Sequence, residues 1–303
     1  MATSRLIPSP ASASRAAQRR LGLALRSRVA GDDAPERAQR IWGAEGERWF
    51  TSEDPIWRVN ADAAMFPGGL AALLLQSLHP LAMAGVAGHS GYKGDPWGRL
   101  QRTSHYLATT TFGTVADAEQ AIEHVRSVHR RVRGTDERGR TYAADDPHLL
   151  RWVHVAEVWC FLTAFQSYAA TPLTDDEADL FVDQTTRAAT LLGATDLPHT
   201  VAELEQVIED YRPELESTPA AREATRFMLL NPPLPMIVRP GYALIAAGAV
   251  ALLPDWARRS LRLPLSGAGL AVATRAGSVS AALVRWGMAG LEDRRPGDRR
   301  DDG

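Results

Sequence analysis

Eight histidines are the residues of this 303-residue chain best suited to chemistry, and their settings differ. His129 sits in Thr114–Gly134 (TVADAEQAIEHVRSVHRRVRG), which reads as a capped helix with one apolar stripe. At roughly 100° per residue, Val115, Ala118, Ile122, Val125 and Val132 fall within about 60° of it, and His124 points about 140° away, among arginines. A core-facing imidazole needs a partner, and a metal ion is one of the few that offset the cost of burying it. His154 lies in LLRWVHVAEVWCFL, three residues before Glu157, and two readings stand. One is a buried His–Glu pair that satisfies itself; the other is a ligand, or the orienter of one. His79 precedes Pro80 in an apolar stretch, where its ring N–H could serve a carbonyl freed by the proline or its nitrogen could hold a cofactor. His148, His199 and His105 read as surface or cap residues, and His89, within GHSG, as a loop residue.

Arg99 and Thr103 share a helical stripe with Arg102, Tyr106 and Thr110. Periodicity alone makes this a solvated face; the same residue types also suit anionic groups or bound oxygen in a pocket. Several mechanisms lack their residues. The chain has no G-x-S-x-G, P-loop, H-E-x-x-H or G-x-G-x-x-G motif, and no Glu-x-x-His pair for a di-iron bundle. Cys160 is the single cysteine, within the apolar VWCFL, so it reads as a packed thiol rather than a nucleophile or haem thiolate.

Helical signals position these groups. Ala34–Arg48 reads as an amphipathic helix leading to Trp49 and Phe50, and Pro67 opens the helix that carries His79. Asp95-Pro96 and Asp146-Pro147 each pair an N-cap with proline at the first helical position, opening helices to about Thr111 and Ala169. Thr114 with Asp117 resembles a capping box. Further helices are expected over Thr174–Leu192, Thr200–Pro213 and Ala220–Leu230, with two or three more from Pro240. The expected fold is one all-α domain of about ten helices over residues 33–290, between a basic disordered tail (1–32) and a polar one (291–303).

Composition bounds the partners. A net charge of −2 offers no case for nucleic acid. Met65–Ala87 is interrupted by Gln76, His79 and Pro80, and Tyr242–Pro254 is too short to span a bilayer, so both read as buried helices. The expected location is cytoplasmic, with export through the twin arginines Arg19-Arg20 as the alternative and peripheral membrane association left open.

Several segments, taken in order, resemble a known family. They are Ser77-Leu78-His79-Pro80, then Asp95-Pro96-Trp97-Gly98-Arg99 with Thr103, then Val128-His129 with Val132 and Gly134. Tyr142–Pro147 leading to Trp152-Val153-His154 follows, then Leu192-Gly193, Pro198 to Leu204, and Leu253–Arg258. Together they are similar to the MpaB/rubber-oxygenase catalytic domain over about residues 45–265, a family that includes the latex-clearing proteins. The resemblance implies a globin-like all-α fold with one non-covalent haem b on a proximal histidine, and the matching position is His129. It also implies that Arg99 and Thr103 lie near the haem. Rubber oxygenases carry a lysine just before that threonine; this chain has Arg102, a poor iron ligand. The family's catalytic carboxylate has no motif here, although Glu157 is the one acid in a strongly apolar helix.

The expected function is a haem b oxygenase that uses dioxygen on an apolar, isoprenoid-like molecule. His129 would hold iron, Arg99 would hold a propionate or polarise oxygen, and Thr103 would supply a hydroxyl. Trp152, Trp159 and Phe161 are available as an apolar wall. Two alternatives stand beside it: a non-catalytic haem sensor or redox protein, and a cofactor-free helical lipid-associated protein. The oligomeric state is open.

Overall fold

The computed structural model describes residues 10–291 apart from 32, 90–93 and 264. Fourteen α-helices and one small hairpin make up the described chain, an all-α architecture. The expected start signals act where the sequence places them. Asp95 accepts from the Gly98 amide at 2.8 Å and opens α6 (Pro96–Phe112). Thr114 accepts from the Asp117 amide and opens α7 (Val115–His129), and Asp146 accepts from the His148 amide to open α8 (Pro147–Tyr168). Thr174 and Glu177 form a reciprocal capping box on α9 (Asp175–Leu192).

Three features raise the number of helices above the expected ten or so, the first being an unexpected short helix, α3 (Pro55–Ala61). The apolar stretch around His79 is not one helix but two, α4 (Met65–Gln76) and α5 (Pro80–His89), bent by 106°. Pro80 lacks an amide proton and crowds the preceding turn, so the break falls just before it. The N-terminal stretch, expected to be a frayed tail, is helical as α1 (Pro10–Ala30). It is held by a distant partner, α14 (Gly267–Ala289): Gly22 lies against the Gly287 carbonyl and Leu21 packs over Gly287. The C-terminal tail from residue 292 onward lies outside the described residues.

The core is built on α4 and α8, which run antiparallel. Gly68 faces Ala164 at one end, and at the other the Gln76 amide donates to the Val153 carbonyl at 2.9 Å. Helix α12 (Arg239–Leu252) crosses α4 and packs on α14 where two glycines meet. A Cβ on Gly248 would stand 2.5 Å from the Gly277 Cα, and Tyr168, ending α8, donates to the Gly248 carbonyl at 2.9 Å. Among the described residues α14 is the one helix long and apolar enough to cross a membrane. Val272, Val279, Leu283 and Trp286 form an exposed stripe along it.

After His129 the chain turns into the hairpin. Val132 donates to the His129 carbonyl at 3.0 Å, and β1 (Arg133–Thr135) pairs antiparallel with β2 (Thr141–Ala143). Gly134 sits opposite Tyr142, where a side chain would meet the phenol. The helix expected to run to Gly134 thus ends at His129, and the hairpin leads straight into α8.

Candidate functional site

The stripe on α7 faces inward as its periodicity requires. Ala118 and Ile122 are buried, His129 is half-buried, and His124 is exposed. Helix α7 packs on α6 and α9. The Nδ1 of His129 is buried, and neither ring nitrogen makes a hydrogen bond among the described residues. Burial holds its pKa below the ordinary imidazole value, partly countered by the Asp145 carboxylate. Asp145 is itself paired with Arg133 at 2.8 Å. His129 is therefore a neutral imidazole without a partner, the form that binds a metal.

Helices α6 and α8 do not pack closely on one another; α3 (Pro55–Ala61) touches both, and α7 and α9 complete the ring. On α8, His154 and Glu157 are both half-buried. Burial pushes the Glu157 carboxyl up to about 7 and the His154 imidazole down to about 4. The self-satisfying His–Glu pair does not form: no ion pair joins the two. The residues point roughly 60° apart on the helix. His154 Nε2 instead stands 3.5 Å from Thr185 Oγ1 of α9, the outer limit of a hydrogen bond. From α6, burial and then the Glu157 charge raise the Tyr106 phenol far above its usual range.

The Arg99–Thr103–Tyr106–Thr110 stripe on α6 enters the protein only in its second half. Arg99 is half-buried, Thr103 is exposed, Tyr106 is half-buried and Thr110 is buried. The Thr110 hydroxyl donates back to the Tyr106 and Leu107 carbonyls of its own helix, and Thr103 lies toward solvent. Arg102 is exposed and pairs with the N-cap Asp95 at 3.3 Å. Two buried polar atoms that the sequence reading passed over also lack partners, Asn60 Oδ1 on α3 and Thr109 Oγ1 on α6.

The residues expected as an apolar wall belong to the main hydrophobic core. Trp152 is fully buried, its ring 5.2 Å from Tyr211 and 6.2 Å from His79, and its indole N–H donates to the Gln76 carbonyl. Phe161 lies in the α4–α8 contact near Gly68, and Trp159 packs against the same core. Cys160 is buried, and burial raises its thiol pKa further, as a packed thiol requires.

The His79 ring is not needed at the proline break. The carbonyls around the α4–α5 break find other donors: Leu78 accepts from the Glu216 amide at 2.8 Å, and His79 accepts from the Met83 amide at 2.9 Å. No hydrogen bond, ion pair or ring contact joins its ring to His129. It meets His148 and Glu214 instead. His148 had read as a simple cap residue; Glu214, distant in sequence, carried no local signal.

A family model described as "ER-bound oxygenase mpaB/B'/Rubber oxygenase, catalytic domain" matches residues 57–286. The chain matches no curated protein and no solved structure. The matched span runs from α3 into α14 and contains His79, Arg99, Thr103, His129, His154 and Glu157.

Proposed function

The chain belongs to the MpaB/rubber-oxygenase catalytic-domain family, and from that premise we propose that it is a haem b oxygenase acting on an apolar, unsaturated, isoprenoid-like small molecule. The observation that carries this reading is the His129 imidazole, with one nitrogen buried and neither nitrogen bonded. A buried polar atom without a partner costs roughly 1–3 kcal/mol, which a ligand bonded to the His129 ring would offset. His129 would hold the iron of a non-covalent haem, and Arg99 would hold a propionate. When bound, the haem supplies activation of dioxygen for attack on a carbon–carbon double bond.

The remaining steps belong to the chain's own groups. Glu157 is pushed up to about 7, so near neutral pH it can hold a proton or accept one. Tyr106 stays protonated and presents a hydroxyl donor close to Glu157. His154 stays neutral.

Purified protein supplied with haem is expected to show a Soret band that His129→Ala abolishes, and to take up oxygen with an alkene substrate. Full haem and unchanged spectra in His129→Ala would overturn the ligand assignment. A Soret band without oxygen uptake across an alkene library would favour the sensor reading.

A further inference from the structure

His79, His148 and Glu214 come together where three elements end: the α4–α5 break, the first turn of α8, and the 3₁₀ turn Arg212–Glu214. Their ligand atoms all lie within 4.8 Å of one another. His148 Nε2 is 3.0 and 2.9 Å from the two Glu214 oxygens, and His79 Nε2 is 3.4 Å from Oε2. The His79 side chain is 2% exposed and its Nε2 makes no hydrogen bond. The side chains of His148 and Glu214 are 51% and 44% exposed, so the cluster has a buried wall and an open side.

Proton placement leaves room for a cation. The Tyr211 hydroxyl donates to the His148 carbonyl at 2.8 Å, so toward His148 Nδ1, at 3.3 Å, it presents a lone pair. A ring proton then belongs on Nδ1, and Nε2 meets the two carboxylate oxygens at hydrogen-bond distance through either a second proton or a cation. His79 Nδ1 stands 3.5 Å from the Ala82 amide, too long to commit that ring to one tautomer. Nor does an arginine neutralise Glu214 among the described residues: Arg138 and Arg140 are taken by Glu216, two residues on.

We propose that His79 Nε2, His148 Nε2 and a Glu214 oxygen bind one divalent transition-metal ion of the zinc class, with a fourth position open to water. Zinc takes imidazole nitrogen and carboxylate oxygen at about 2.0–2.2 Å, which in a tetrahedron sets ligand atoms about 3.3–3.5 Å apart. The His79–Glu214 separation already has that value, His148 must open from Glu214 by a few tenths of an ångström, and its distance to His79 is within 4.8 Å, on the exposed side where the His148 ring can adjust. Two neutral imidazoles and one carboxylate leave the ion a single positive charge. The ion ties together segments far apart in the chain, at residues 79, 148 and 214. This centre is separate from the haem reading at His129.

The test uses the full chain, stripped with chelator and titrated with zinc chloride by calorimetry, with cobalt chloride as a spectroscopic probe. One zinc per chain, a higher unfolding temperature with zinc, and the visible bands of tetrahedral cobalt are expected. His148→Ala and Glu214→Gln, on half-exposed side chains, should each weaken zinc at least about tenfold while circular dichroism stays unchanged. His199→Ala, in a separate exposed pair with Asp183, should leave binding intact. Absence of binding in the wild type, or undiminished stoichiometry and affinity in both cluster variants, would leave only a His148–Glu214 ion pair beside His79 and overturn the proposal.

Discussion

The charge of Glu157 on α8 reaches the Tyr106 phenol on α6, although the two helices do not pack closely on one another. Neither side chain has a hydrogen-bond partner among the described residues. A half-buried acid and phenol without such partners are costly in a packed core, and perturbed groups of this kind cluster at functional sites.

The first consequence concerns stability. The folded chain holds the Glu157 proton up to about 7, whereas the unfolded chain releases it near 4.5. Stability is therefore lost as pH rises through that window, by about 3 kcal/mol in total. Glu157→Gln removes this loss. In urea titrations the variant should match the wild type at pH below the window and exceed it by about 3 kcal/mol above it. A constant difference across the window would show that Glu157 is solvated.

His154 works in the opposite sense. The folded ring stays neutral down to about 4, and the unfolded ring takes its proton near 6.5. Stability present above 6.5 is lost as pH falls toward 4, again by about 3 kcal/mol. His154→Gln should remove that share of the acid-side loss, leaving the smaller shares of His79, His105 and His129, whose pKa values are also lowered. An unchanged acid limb in the variant would place His154 in water.

Packing of α12 on α14 rests on glycine. Because a Cβ at Gly248 would stand 2.5 Å from the Gly277 Cα, Gly248→Ala must part the helices and should cost about 1–3 kcal/mol. Gly69, within α4, has nothing within 4 Å of its would-be Cβ. Gly69→Ala should stabilise by about 0.5–1 kcal/mol through helix propensity. Calorimetric unfolding temperatures that move in the same direction for both would contradict this packing.

The legible parts of the fold are the local ones. Asp95-Pro96, Thr114 with Asp117, and Asp146-Pro147 each fix a helix start through a cap within three residues, and the structure begins helices there. His129 was legible because one apolar stripe sufficed to orient it. Helix α1 was not, since its order comes from glycine contacts with α14, more than half the chain away. The His79–His148–Glu214 cluster was invisible for the same reason: each member sits at a different element end, and no window holds two of them. The His154–Glu157 spacing misled because adjacency on a helix sets distance without setting direction.

Arg99 and Arg102 separate the haem-facing and solvent-facing readings of α6. Only about 60° of helix lies between them, but Arg99 shares its line with Tyr106, and Arg102 is held outward by Asp95. An exposed pair of that kind contributes little, about 0–1 kcal/mol. A half-buried arginine that meets a propionate makes a charge-assisted bond, worth about tenfold or more in affinity. Haem titrations followed at the Soret band should therefore show about tenfold weaker binding for Arg99→Leu and a change within about twofold for Arg102→Leu. If Arg102→Leu is the damaging variant, the inward face of α6 is turned by one position.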